Sequence, residues 1–352
     1  MEFCALCWMG LENAAEQELS ARKLHAEKIR KVRQLIGEGK RKVFFEADPD
    51  ADTLRQLGTV EDVYAVIASS RNPGDMKGLA RMVERALGSE TLHAALNLER
   101  AVSGRAKAAR FEPMITIENR SDMRRRELRD TLLTGVDKKL PKWRRTRRDG
   151  IGLWLDIHGP RAMLCVRLVS RRSGKRRDLP GALPASVAYS MIFLTYPWQG
   201  EVFADPFCGS GTIILERLRF ADASAILGGD ADGKAVRTAA ENLARTPFVP
   251  VRLDATGLPL PDGSVDAIVA NPPWGEKHDA KNWTADRLAD LYEVFAEEAA
   301  RVLRHKGRLA IITTAAKSMD SALKNRRAFT ISKCFVVNCL GLRPHVFIAL
   351  RK

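Results

Sequence analysis

FADPFCGSGTIILE, running from Phe203 to Glu216, is the stretch whose reading decides the fold of this chain. An apolar strand (Val202, Phe203, Ala204) ends in Asp205, a glycine-rich turn follows (Gly209, Ser210, Gly211), and an apolar helix opens at Thr212. A helix N-terminus behind a tight turn offers backbone N–H groups to a ligand with negative or polar edges. Glycines are common in such turns, so G-x-G alone says little; the sequel says more. Asp230 closes a second strand in ILGGDAD, Asp254 a third in VPVRLDA, and Asn271-Pro272-Pro273-Trp274 a fourth in VDAIVANPPW. Polar residues at successive strand ends are the pattern of an open α/β sheet that binds its ligand at the carboxyl ends of its strands.

Each of these residues suits a part of an adenosine derivative. Asp230 is the kind of acid that accepts both ribose hydroxyls, Asp254 suits the exocyclic amine of adenine, and the glycines allow close backbone approach. A dinucleotide site would want a third glycine where Ile214 stands, and a phosphate-binding loop would want a lysine where Thr212 follows the last glycine.

DPFCGSGT followed by GGDAD, LDA and NPPWG resembles the class I S-adenosylmethionine-dependent methyltransferases that act on exocyclic amines of nucleobases. The DPFCGSGT form is similar to that of the THUMP-domain RNA methyltransferases, with the tRNA guanine-N2 members the nearest fit. The resemblance is strong over roughly residues 180–352 and looser before them. It implies a Rossmann-like domain with a seven-stranded sheet and an antiparallel last strand. It also implies S-adenosylmethionine as cofactor, held by Asp205, Pro206, Phe207, Cys208, Gly209, Ser210, Gly211, Thr212, Asp230, Asp254, Ala255 and Asn271, without a metal. Asn271, Pro272, Pro273 and Trp274 become the catalytic tetrapeptide, where Trp274 departs from the family's Tyr or Phe. The lone pair of an exocyclic amine is delocalised into the ring, so attack on a sulfonium methyl requires the nitrogen to pyramidalise. Asn271 Oδ1 and the Pro272 carbonyl can accept its two hydrogens while Trp274 stacks on the flipped base.

The 352 residues suggest two or three domains, and 45% hydrophobic with 29% charged residues is a soluble globular composition. No apolar run of ~18 residues occurs and the N-terminus lacks a basic region, so neither a membrane span nor a signal peptide is expected and the location reads as cytoplasmic. Cys4-x-x-Cys7 has no second pair at zinc-finger spacing; these two, with Cys165, Cys208, Cys334 and Cys339, read as structural thiols.

The net charge is +15, and residues 100–180 hold 23 Lys and Arg against 9 Asp and Glu, a net of about +14 in under a quarter of the chain. Beside a base-methylating fold this concentration points to a phosphate backbone, which makes RNA, tRNA first, the expected partner. Arg124, Arg125 and Arg126 lie on an expected helix over 122–140; Lys142, Arg144 and Arg145 flank Trp143; Lys175 and Arg176 lie in SRRSGKRRDLPG. A solvated helix face is the competing reading, although four arginines within six positions cannot all pair with Glu127 and Asp130. Trp143 reads either as a base-stacking platform or as core.

Spacing marks a small α+β unit over 1–58, whose GLENAAEQEL segment resembles the opening of the ferredoxin-like domain of the THUMP methyltransferases. The element order over 59–170 resembles a THUMP domain, and a linker (171–183) leads to the expected methyltransferase domain (184–352). Expected helices include 76–87, 90–102 and 285–303, and expected strands 111–117, 151–158 and 308–314. The polar loop GEKHDAKNW (275–283) is either a surface connection or a lip for the target base. Three functions follow. The first is a tRNA guanine-N2 methyltransferase. The second applies the same chemistry to ribosomal RNA or to adenine N6 of DNA, and the third is a non-catalytic RNA-binding module, against which the intact site residues count.

Overall fold

The computed structural model describes residues 1–22, 27–36, 39–105, 109–147, 149–171, 177–220, 222–275, 283–325 and 327–352. Contacts divide the chain into two compact units, Met1–Cys7 with Ala15–Arg172 and Trp8–Ala14 with Ser173–Lys352.

The first unit contains β1 (Glu2–Trp8) up to Cys7, α1 (Glu12–Ala21) from Ala15 on, β2 (Glu27–Ile36), β3 (Lys40–Glu46), α2 (Ala51–Gln56), β4 (Asp62–Ser70), α3 (Met76–Leu87) and α4 (Glu90–Ser103). It continues with β5 (Arg110–Glu118), α5 (Arg125–Lys139), β6 (Arg144–Arg145), β7 (Ile151–His158) and β8 (Arg161–Ser170). The strands form one eight-stranded sheet in the order β2-β3-β1-β4-β8-β7-β5-β6. The boundary expected near residue 58 falls within this sheet, because β1 pairs antiparallel with β4 from Phe3 opposite Ala65 to Leu6 opposite Asp62.

Period-two alternation gives this sheet two buried faces. Val63, Ala65 and Ile67 of β4 face a core shared with the helices, whose stripe Leu128, Leu132 and Val136 repeats every fourth residue on α5. Tyr64 and Val66 face the other side with Trp154, Cys4 and Cys165. On that side Lys42 of β3 pairs with Asp156 of β7. Three strands lie between β3 and β7, a separation of about 19 Å in a flat sheet, so the sheet must curl to bring these side chains together. Burial pushes the Asp156 carboxyl up from its ordinary value, while Lys42 draws it back.

The second unit contains α6 (Ala185–Phe193), β9 (Val202–Asp205), α7 (Thr212–Arg217), β10 (Ala225–Asp230), α8 (Gly233–Leu243), β11 (Val251–Arg252) and β12 (Val265–Ala270). It closes with α9 (Ala285–Val302), β13 (Leu303–Thr313), α10 (Ala316–Lys324), β14 (Phe329–Val336) and β15 (His345–Arg351). The expected seven-stranded sheet is present, in the order β11-β10-β9-β12-β13-β15-β14, with β15 antiparallel to both neighbours. The strand expected in VPVRLDA shrinks to two residues at the sheet edge, where Pro250 just before it has no N–H for a ladder. No described helix is long and apolar enough to cross a membrane.

Candidate active site

Chain order reverses at β9, which has β10 on one side and β12 on the other, all parallel. Gly228 stands opposite Asp205 and Ile268 opposite Ala204, so Asp230, Asp205 and Asn271 leave the sheet from three neighbouring strand ends. This is the switch point at which open α/β sheets bind ligands.

Asp205 is fully buried. Its Oδ1 accepts the Phe207 N–H at 3.2 Å, whereas Oδ2 has no hydrogen-bond partner among the described residues. Burial holds the carboxyl well above the ordinary range, and the nearby Asp230 adds to the rise against the lowering bond from Phe207. The hydroxyls of Ser210 and Thr212 are likewise buried and unpartnered among the described residues.

The turn between Asp205 and α7 is shaped by its own backbone. Cys208 N–H donates to Gly229 O at 2.8 Å, which makes this residue part of the turn, and its buried thiol is pushed well above the usual range by desolvation. Gly211 has φ +85°, and a Cβ there would lie 2.9 Å from Leu243 Cδ1, so both conformation and space demand glycine. Asp230 steadies the turn from the next strand: Oδ2 accepts Gly209 N–H at 3.0 Å and Oδ1 accepts Asp232 N–H at 2.9 Å. Asp254 Oδ1 accepts both the N–H and the hydroxyl of Thr256, at 2.9 and 2.7 Å, and Ala255 beside it is buried. Pro206 is buried, and Phe207 meets the Phe295 ring edge-on at 5.0 Å.

The tetrapeptide follows β12. Trp274 is half-buried against the core, and its indole N–H reaches both Asn271 Oδ1 at 2.9 Å and Ile312 O at 3.0 Å. Asn271 Nδ2 donates to Gly181 O at 3.2 Å. Pro272 is buried, and Pro273 O accepts the Tyr292 hydroxyl at 2.6 Å.

Two participants carry no sequence signal. Asn242 of α8 donates to Ser210 O at 2.8 Å and to Arg177 O at 2.9 Å, while its Oδ1 accepts Arg177 N–H at 2.9 Å. It thereby pins the segment after residue 176 onto the turn. Tyr292 reads from its spacing as one more core residue of α9.

The buried, unpartnered Asp205 Oδ2, Ser210 Oγ and Thr212 Oγ1 fit a ligand with a cationic, hydrogen-bonding end, as the amino-acid moiety of S-adenosylmethionine has. Among the described residues no group of three or more His, Cys, Asp or Glu side chains could hold a metal ion.

Arg124, Arg125, Arg126, Lys142, Arg144 and Arg145 are all exposed. Arg125, Arg126, Lys142 and Arg145 have no side-chain hydrogen-bond or ion-pair partner among the described residues. Arg144 donates to Pro141 O at 3.1 Å. Trp143 is half-buried against the core, its ring 6.2 Å from that of Phe111. Lys175, Arg176 and residues 276–282 of the polar loop lie outside the described residues.

Comparison with known proteins agrees with this geometry. The family described as UPF0020, RMKL-like methyltransferase domain, matches residues 172–344. A Thermus thermophilus relative named tRNA (guanine(6)-N2)-methyltransferase is 31% identical over 209 residues, which are 57% of this chain and 61% of the relative. A human relative named tRNA (guanine(6)-N(2))-methyltransferase THUMP3 is 30% identical over 220 residues, 56% of this chain and 42% of the relative. The chain thus spans about half the length of the curated relatives it matches. The crystal structure of TrmN from Thermus thermophilus superposes with a TM-score of 0.77 at 23% identity, covering 100% of this chain and 99% of that one. Residues 172–344 are thus similar to the RMKL-like methyltransferase domain, and the chain shares the fold of that structure.

Proposed function

We propose that this chain is an S-adenosylmethionine-dependent methyltransferase acting on an exocyclic base amine in RNA, with guanine N2 of tRNA the favoured target. The observation that carries the reading is the meeting of Asp230, the orphaned Asp205 and Asn271 at adjacent strand ends. The names of the human and Thermus thermophilus relatives support guanine N2 and tRNA. Guanine N2 of ribosomal RNA and adenine N6 of DNA share the chemistry of the tetrapeptide; the exposed, unpartnered cations of the first unit favour RNA.

In this reading Asp230 takes the ribose hydroxyls, Asp254 the adenine amine, and Asp205, Ser210 and Thr212 the amino-acid end. Residues 205–212 with Ala255 form the cradle. When bound, S-adenosylmethionine supplies a methyl already activated by its sulfonium. The chain's task is then to orient the amine and accept its hydrogens. Asn271 Oδ1 keeps one lone pair beyond the one that meets the indole, and the Pro272 carbonyl is the second acceptor. Trp274 offers the uncovered part of its ring to the base. Arg124, Arg125, Arg126, Lys142, Arg144 and Arg145, with Lys175 and Arg176, carry the RNA phosphates. The proposed functional division sets 184–352, after the linker 171–183, apart from residues 1–170, whose expected parts 1–58 and 59–170 share one sheet.

Single-turnover transfer of labelled methyl to bulk tRNA, followed by nucleoside mass spectrometry, tests the reading. N2-methylguanosine is the expected product, and Asn271→Ala should slow transfer by on the order of 10²-fold with cofactor affinity retained. A wild-type rate in that variant would remove Asn271 from the chemistry; product in ribosomal RNA alone would move the substrate.

A further inference from the structure

Trp274 does something at this site that a Phe or Tyr in its place could not. Its indole N–H lies between Asn271 Oδ1, at 2.9 Å, and Ile312 O, at 3.0 Å. The other end of the same carboxamide donates from Nδ2 to Gly181 O at 3.2 Å. A carboxamide presents a different group on each side, and a half-turn exchanges them. Here one neighbour can only donate and the other can only accept. A flipped Asn271 would set NH2 against the indole N–H and oxygen against the Gly181 carbonyl, losing both bonds. The two partners therefore select one orientation of Asn271.

The indole can do this because it is itself held. Ile312 belongs to β13, whose residue Ile311 pairs with Ala270, the last residue of β12. Trp274 O accepts the Thr314 hydroxyl at 3.3 Å, and Pro273 O accepts the Tyr292 hydroxyl at 2.6 Å. The Tyr292 oxygen also meets Thr313 Oγ1 at 2.6 Å. The tetrapeptide is thus tied to the end of β13 through the indole and through the Trp274 and Pro273 carbonyls, and the ring packs against the core.

We propose that Trp274 is a positioning residue, whose indole N–H presets the Asn271 carboxamide so that one Oδ1 lone pair is ready for the substrate amine. The proposal rests on the methyl-transfer reading above and adds a role distinct from base stacking. Phenylalanine has no donor, and tyrosine carries its hydroxyl at the far end of the ring, away from the edge where the indole nitrogen sits. Positioning of this kind acts on the rate of transfer, since a misoriented acceptor is felt only when the amine must be held in line with the methyl.

Trp274→Phe keeps a flat apolar ring and deletes the N–H. Single-turnover methyl transfer to tRNA should fall at least about tenfold, the worth of one hydrogen bond, while cofactor affinity stays at wild type. Replacement of Trp274 by benzothienylalanine, with sulfur in place of the N–H in a bicyclic ring of nearly the same shape, should give the same loss without a packing defect. In an Asn271→Ala background the benzothienylalanine replacement should cost nothing further, because the role runs through Asn271. A wild-type rate for the benzothienylalanine protein, or a loss that multiplies with that of Asn271→Ala, would overturn the proposal. A wild-type rate for Asn271→Ala alone is a separate result that overturns the underlying methyl-transfer reading.

Discussion

The two ends of the second sheet bury charge to the same depth and treat it differently. At the amino ends of β9, β12 and β13, Glu201 is fully buried with Arg217 and Arg308. Glu201 Oε1 accepts Arg217 Nε at 2.9 Å and Oε2 accepts Arg308. Asp266 is matched too, Oδ1 by Arg304 at 2.8 Å and Oδ2 by Val202 N–H at 2.8 Å. Arg308 further donates to Thr195 O and Asp266 O and lies 3.7 Å from the centre of the Trp198 ring. At the carboxyl ends Asp205 is equally buried, yet one of its oxygens and the hydroxyls of Ser210 and Thr212 find no partner among the described residues. The protein completes the carboxylates at one end and, in the reading proposed above, leaves the other to be completed by a ligand. An unmatched buried polar group costs about 1–3 kcal/mol, so the carboxyl end gives up stability for binding.

Removing a partner at the closed end should therefore hurt most. Glu201→Gln leaves two buried guanidinium groups without their shared counter-charge, and the second unit should lose on the order of 3–5 kcal/mol. Denaturant unfolding of the full chain measures this, and an unchanged midpoint would erase the distinction between the two ends.

At the open end the sign reverses. The Asp205 carboxyl sits above its ordinary value because of burial, so its contribution to stability is greatest below about pH 4 and is lost as pH rises through the folded value. Asp205→Asn removes that dependence. The variant's stability relative to wild type should climb from pH 4 upward, reaching on the order of 1–3 kcal/mol, while cofactor affinity falls because the carboxylate facing the ligand's cationic end is gone. Melting curves between pH 4 and 8 decide it: a constant difference would mean that Asp205 is already matched within the protein.

What could be read in advance follows the range of the interactions. The spacing of apolar residues over 76–87 marks α3 at both ends, and alternation over 151–158 marks β7, since each pattern is local. The candidate site stood out for the same reason, because Asp205, Asp230 and Asn271 sit where strands stop and turns begin. Asn242 did not, for its partners Ser210 and Arg177 lie 32 and 65 residues away and a polar residue on an exposed helix face invites no comment. The indole bond of Trp274 depends on β13 arriving beside β12, 38 residues later. The single sheet across residues 1–171 hides behind the β1–β4 pairing, whose register no local pattern encodes. Trp143, set among cations, reads either as a stacking platform or as core; packing against Phe111 and the core half-buries it.

The smallest expected effect on stability lies on the surface of the first unit, where matched and unmatched charges again stand together. Lys138 pairs with Glu84 at 2.7 Å and Arg120 with Asp122 at 2.6 Å, while Arg125 and Arg145 face solvent without a partner among the described residues. Exposed cations contribute little to folding, and Arg144 adds only exposed bonds to nearby backbone carbonyls, so changing Arg124, Arg125, Arg144 and Arg145 together to Ala should move the unfolding free energy by only about 0.5 kcal/mol. In the reading proposed above their effect falls on RNA binding. Each phosphate contact releases counterions, and loss of four should flatten the slope of log K against log salt by up to ~2.8–3.6 units. Affinity should fall alike for all tRNAs, because phosphate contacts carry no sequence information, and cofactor binding should be unchanged. A filter-binding salt series on wild type and the quadruple variant separates the two readings of these arginines. Equal slopes would make them a solvated helix face, and the phosphate-binding surface would then have to be sought among the remaining cations of residues 100–180.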